Sequence, residues 1–150
     1  MFGPQRDPYR RQFIDAWQKA QSGAPLTALE QRIAEVAGLH PEYHALLADA
    51  DKALGRDWLP EHGETNPFLH MALHLALLEQ VGADLPPGIR ALYAQALRAR
   101  GGERHDAEHR IIDCLAEALW RQQRDGREDD PRVYLDCVRR QLGLGLGDRR

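Results

Sequence analysis

The sequence predicts an all-α fold, a compact single-domain bundle of six to seven helices, and three observations predict it. Val, Ile and Thr together number 11, whereas Leu and Ala number 41. Strands are normally filled by β-branched side chains, so this balance all but rules out a sheet-based fold. Apolar residues recur at three- and four-residue steps along most of the chain, which is the helical period. Start and stop signals separate these runs from one another. The length, 150 residues, is one domain's worth, and 43% apolar with 29% charged residues is a globular composition.

The elements follow in order. Tyr9, Phe13, Trp17 and Ala20 share one helical face, and Gly23 stops that helix. Thr27 and Glu30 form a capping box for a second helix, on which Leu29, Ile33, Val36 and Ala37 run toward Gly38. Pro41 fits the first position of a short third helix reaching Leu47, because its missing N–H costs nothing there. Residues 49–64 are the least regular stretch, broken by Gly55, Pro60 and Gly63. Asn66-Pro67 is an N-cap with proline behind it, and opens a helix over 66–81. Pro86-Pro87-Gly88 precedes a helix over 89–100, and Gly101-Gly102 precedes a long one over 103–124. Asp130-Pro131 repeats the cap-plus-proline start for a final helix ending near Gln141. The expected organisation is one helical domain over 1–142 and a flexible Gly/Arg tail over 143–150. Trp17, Trp58 and Trp120 read as core anchors.

Charge and cysteine usage narrow the function classes. The formal net charge is −3, and neither sign is segregated along the chain, so no field recruits nucleic acid or an anionic membrane. Eighteen of the 20 basic residues are Arg, which reads as genome composition before phosphate binding. The segment from Met1 to Asp7 has no apolar h-region, and the longest nearly uncharged run, 67–78, is too short to span a bilayer. The expected location is cytoplasmic. Cys114 and Cys137 sit in helical patterns, not in a CxxC pair; a reduced, buried pair is the default for that compartment, and a disulfide is the alternative left open.

The chemistry lies in the histidines. Six of the seven form i,i+4 pairs: His40/His44, His70/His74 and His105/His109. Residues four apart on a helix are offset by about 40°, so each helical pair points to one side and two imidazoles converge on one divalent ion. The run from Phe68 to Leu78 is apolar on every side except for His70 and His74, as in the buried centre of a bundle, and this helix is expected to be the most buried element. His105 and His109 lie on one edge of the apolar arc formed by Ile111, Ile112, Leu115, Ala116 and Leu119. Asp113 follows one turn later on that edge, as a ligand or as the carboxylate that fixes a tautomer. Asp106 and Glu117 fall further toward solvent, and Glu108 borders the other edge. His40 reads chiefly as the flank of the helix that Pro41 begins, with His44 inside that helix. His62 reads as a loop residue. Glu64, just before the Asn66 cap, is primarily part of a helix start that could reach into a site. No Walker loop, GxGxxG or nucleophilic triad occurs.

The segments His40-Pro41-Glu42-Tyr43-His44, Gly63 to His70, Pro86 to Arg90 and His105 to His109 resemble an uncharacterised bacterial family, DUF1841, over nearly the whole chain. The resemblance implies a small bacterial cytoplasmic protein and brings no activity, ligand or catalytic residue. The paired ExxH helices of ferritin-like di-iron bundles are absent; Asp106-x-x-His109 is the nearest approach.

The reading is therefore a divalent transition metal, zinc or iron first, held between the 66–81 and 103–124 helices. His70, His74, His105 and His109 are the ligands, Asp113 or Glu64 an oxygen donor, and His44 a further candidate. The partner is an unidentified small molecule or protein, with no nucleic acid and no membrane. The alternative is a metal-free protein–protein interaction module in which the histidines form a buried, hydrogen-bonded polar layer. Whether the chain is an enzyme stays open.

Overall fold

A computed structural model describes residues 6–58, 65–99 and 101–144, and among them every regular element is helical. Among the described residues there are eight α-helices: α1 Arg6–Ser22, α2 Ala28–Gly38, α3 His44–Leu47, α4 Ala50–Ala53, α5 Pro67–Ala83, α6 Ile89–Ala99, α7 Arg104–Asp125 and α8 Pro131–Gln141. A 3₁₀ turn, Pro41–Tyr43, precedes α3. The count exceeds the expected six to seven because residues 41–53 hold two one-turn helices in addition to the 3₁₀ turn. The second of them, α4, lies in the stretch read as irregular and is capped by the Asp49 carboxylate, which accepts from the Asp51 and Lys52 amides. None of the described helices is long and apolar enough to cross a membrane. The Gly/Arg tail beyond Leu144, His62 and Glu64 lie outside the described residues.

The chain divides into two compact units, Met1–Leu75 and Ala76–Arg150. In the first, Phe13, Ile14 and Ala16 of α1 are buried together with Ile33, Val36 and Ala37 of α2, Leu47 of α3 and Phe68 and Met71 of α5. The Thr27 capping box forms with both of its hydrogen bonds. Arg10 is buried on α1. Its Nη1 donates to the carbonyls of Ala53 and Arg56 at 2.8 and 2.6 Å, and its guanidinium lies over the rings of Trp58 and Phe68. It thus satisfies the Ala53 carbonyl, which ends α4 without a helical donor, and the Arg56 carbonyl in the turn beyond it. The Asn66 side chain accepts from the Phe68 and Leu69 amides at 2.9 and 3.2 Å, so α5 starts where the cap-plus-proline signal put it. On α5 the buried residues Phe68, Met71, His74 and Leu77 form one stripe, Leu73 is half-buried and Leu69 is 51% exposed. The helix therefore buries one side fully, and not its whole circumference.

In the second unit α7 packs on α6 and α8. Ile89, Leu92 and Ala96 of α6, Ile111, Ile112 and Leu115 of α7, and Leu135 and Val138 of α8 are buried. Gly126 ends α7 in the left-handed region at φ 72°, where a side chain would be strained. Arg90 reaches back from α6 and donates to the Val81 and Gly82 carbonyls at the end of α5. Trp120 is not a core anchor: it is 58% exposed, with the Arg124 guanidinium 4.8 Å from its ring. Cys114 and Cys137 are joined in a disulfide between α7 and α8, which corrects the expectation of a reduced pair. Their helical patterns place each cysteine on the side of its helix that faces the other.

A buried polar trio crosses from α6 to α7. Glu108 is fully buried and accepts from the Tyr93 hydroxyl at 2.6 Å and from Arg104 Nε at 2.8 Å. Burial, and then the Glu108 carboxylate, push the Tyr93 phenol well above its ordinary value, and burial does the same to Tyr134, which donates to Gln80. A phenol whose folded pKa is raised contributes stability that is complete below the unfolded value, about 10, and is lost as pH rises beyond it. The urea midpoint is accordingly expected to fall between about pH 9 and about pH 11, and to fall less in Tyr134→Phe. Equal declines in both proteins would refute that assignment.

Candidate metal centre

Three imidazoles meet in the first unit, and local chain chemistry brings each of them there. Pro41 disfavours the helical region for the residue before it, and His40 adopts φ −126°, ψ 70°. The chain thus turns sharply after α2, and the His40 ring comes back over the end of that helix. Its Nδ1 lies 2.7 Å from the Val36 carbonyl oxygen. A carbonyl only accepts, so Nδ1 carries the proton and Nε2 carries the lone pair. His70 and His74 come from adjacent turns of α5, and their Nε2 atoms are 3.2 Å apart.

The three rings are close and nearly perpendicular. Centroids are 4.9 Å apart at 87° for His40 and His70, 4.6 Å at 77° for His40 and His74, and 4.8 Å at 70° for His70 and His74. One ring nitrogen of each lies within 4.8 Å of those of the other two. His40 and His74 are fully buried, whereas His70 is half-buried. The Tyr43 ring stacks on His40 with centroids 5.2 Å apart and stands edge-on to His70 at 6.3 Å. Burial raises the Tyr43 pKa, with the Glu42 charge adding to it.

The distances suit a shared cation. Two nitrogens bound tetrahedrally at about 2.0–2.1 Å from one zinc ion are about 3.3 Å from each other. The Nε2 pair of His70 and His74 is within about 0.1 Å of that value. Neutral imidazole suits zinc, iron, nickel and copper alike. The same pair also has hydrogen-bond length, which requires one ring to donate to the other.

The other candidates are placed as follows. His44 is turned away from this group: its Nε2–H donates to the Ala37 carbonyl at 2.8 Å and its ring stacks on Trp17 at 4.2 Å. His105 and His109 are adjacent on α7 in the second unit, with ring centroids 5.6 Å apart, His105 half-buried and His109 exposed. They line an open pocket of about 420 Å³ with Asp106 and Arg110, and Asp106 Oδ1 is 3.9 Å from His105 Nδ1. Asp106 is therefore the carboxylate nearer this pair in the pocket, and Asp113, exposed one turn on, is not among its lining residues. Glu64 lies outside the described residues. His40 is the residue that sequence reasoning undervalued. The available signal was a histidine two residues past a helix-ending glycine, where a ring N–H can satisfy a terminal carbonyl. Glu108 was undervalued too, although Arg104 stands four residues before it at ion-pair spacing.

No curated protein and no solved structure matches the chain. A family model described as a domain of unknown function, DUF1841, matches residues 5–140. With nearly its whole length covered by that model, the chain belongs to the DUF1841 family.

Proposed function

We propose that the protein binds a divalent transition metal ion, zinc or iron, through His40, His70 and His74. The observation that carries this reading is the His40 tautomer: a backbone carbonyl holds the Nδ1 proton, leaving an unprotonated Nε2 in a buried group of three imidazoles. Metal-binding histidines are oriented in this way, with the second ring nitrogen bonded to a carbonyl or carboxylate. A bacterial cytoplasmic setting, which the family resemblance implied, belongs to the same proposal. No reaction is assigned.

Elemental analysis of untagged protein tests the proposal. Wild-type protein is expected to carry about one equivalent of metal, and His74→Ala almost none, because two neighbouring imidazoles lose their common partner. His44→Ala, which changes a ring bonded elsewhere, should retain it. A metal-free wild-type protein that takes up no zinc or iron would favour the polar layer instead, in which His70 and His74 share a proton. Leu69, Leu85 and Trp120, all more than half exposed, would then be the places to look for a protein partner.

A further inference from the structure

We propose that Cys114 and Cys137 are a reversible dithiol–disulfide pair that exchanges with small dithiols and with glutathione. Three observations place this chemistry here. The two sulfurs are already bonded across α7 and α8, while Cys114 is sealed in the core and Cys137 is half-buried, so Cys137 is the more accessible residue of the bridge. Arg110, one turn before Cys114 on α7, donates to the carbonyl of Gln141, one turn after Cys137 on α8. Its guanidinium therefore links α7 to α8 within one turn of each cysteine along the chain, and a fixed cation close to a sulfur favours thiolate over thiol. Finally, α8 has other attachments that survive reduction: the Tyr134 hydroxyl bonds to Gln80, and Leu135 and Val138 are buried. The opened pair thus stays close enough to close again.

The exchange is balanced. A reductant thiolate attacks Cys137 Sγ, the Cys114–Cys137 bond breaks, and Cys114 leaves as a thiolate. The second thiolate of the reductant then attacks the mixed disulfide and expels Cys137. The reductant ends as an intramolecular disulfide, the protein gains two electrons, and the two new thiolates take up protons from solvent according to pH.

Thiol alkylation followed by intact mass tests this on the folded protein. Dithiothreitol without denaturant is expected to expose two alkylatable thiols, and oxidised glutathione to remove both again. Thiols that appear only in urea, or a reduced form that does not reoxidise, would overturn the proposal in favour of a purely structural staple. Attack geometry has its own readout: oxidised glutathione should form a mixed disulfide with Cys137 in Cys114→Ser, releasing one reduced glutathione, and not with Cys114 in Cys137→Ser. The reverse pattern would also overturn it. Arg110→Gln should slow dithiol reduction about tenfold and Arg110→Lys should restore it; equal rates in all three proteins would remove Arg110 from the proposal.

Discussion

Chelator treatment of zinc-loaded wild-type protein is expected to lower its thermal midpoint by roughly 10 °C if the proposed site holds the ion. The three imidazoles converge only in the folded first unit, so an ion that binds there stabilises the native state by mass action. Free metal at a thousand times its dissociation constant contributes about 4 kcal/mol. For a chain of this length each kcal/mol moves the midpoint by roughly 2–4 °C. Scanning calorimetry of zinc-loaded and chelator-treated protein reads the difference directly. His74→Ala is expected to show none, since its unfolding no longer depends on metal. The shift should shrink as pH falls, because coordination requires neutral imidazoles. Superimposable scans for loaded and stripped wild-type protein would end the metal reading and leave the fold untouched.

Glu108→Ala is expected to cost about 2–3 kcal/mol, because the buried Tyr93 hydroxyl loses its acceptor and Arg104, one-third exposed, loses a charge-assisted bond. The carboxylate is fully buried, so its loss leaves two groups that now lack it: the Tyr93 hydroxyl, 2.6 Å away, and the Arg104 guanidinium, 2.8 Å away. Glu108→Gln keeps an acceptor for Tyr93 and forfeits only the charge, so its cost should be clearly smaller. The double variant Arg104→Met with Glu108→Leu should recover much of the loss, because burying neither charge is cheaper than burying one alone. Urea unfolding of the three variants makes the comparison, and a Glu108→Ala cost below about 1 kcal/mol would show that the trio is replaced by water.

What could be read from the sequence is what is decided within a few residues. The Thr27 box and the Asn66 and Asp130 caps are local hydrogen-bonding events, and all appear where their residues stand. The pairing of His70 with His74 is local in the same sense. His40 was harder to read, because its partner on one side is a carbonyl four residues back and its partners on the other are imidazoles about thirty residues ahead. Burial was harder still. The α5 sequence is apolar around its circumference, yet Leu69 is exposed, because what covers a face is a property of the neighbours and not of the helix. The disulfide escaped for a related reason: periodicity puts each cysteine on a helix face but does not say that the two faces meet.

The Val36 carbonyl that orients His40 stands at the end of α2, and the Ala37 carbonyl beside it holds His44. The aligned peptides of a helix place roughly half a negative elementary charge at that end. Neutral imidazoles bring no charge of their own, so a divalent ion bound among the three, as proposed above, would carry its full +2 into a largely buried position. Through the ring of His40, α2 would point its negative pole toward that charge. The backbone would then supply part of the compensation that a coordinating carboxylate otherwise supplies, with a field that no change of pH can neutralise.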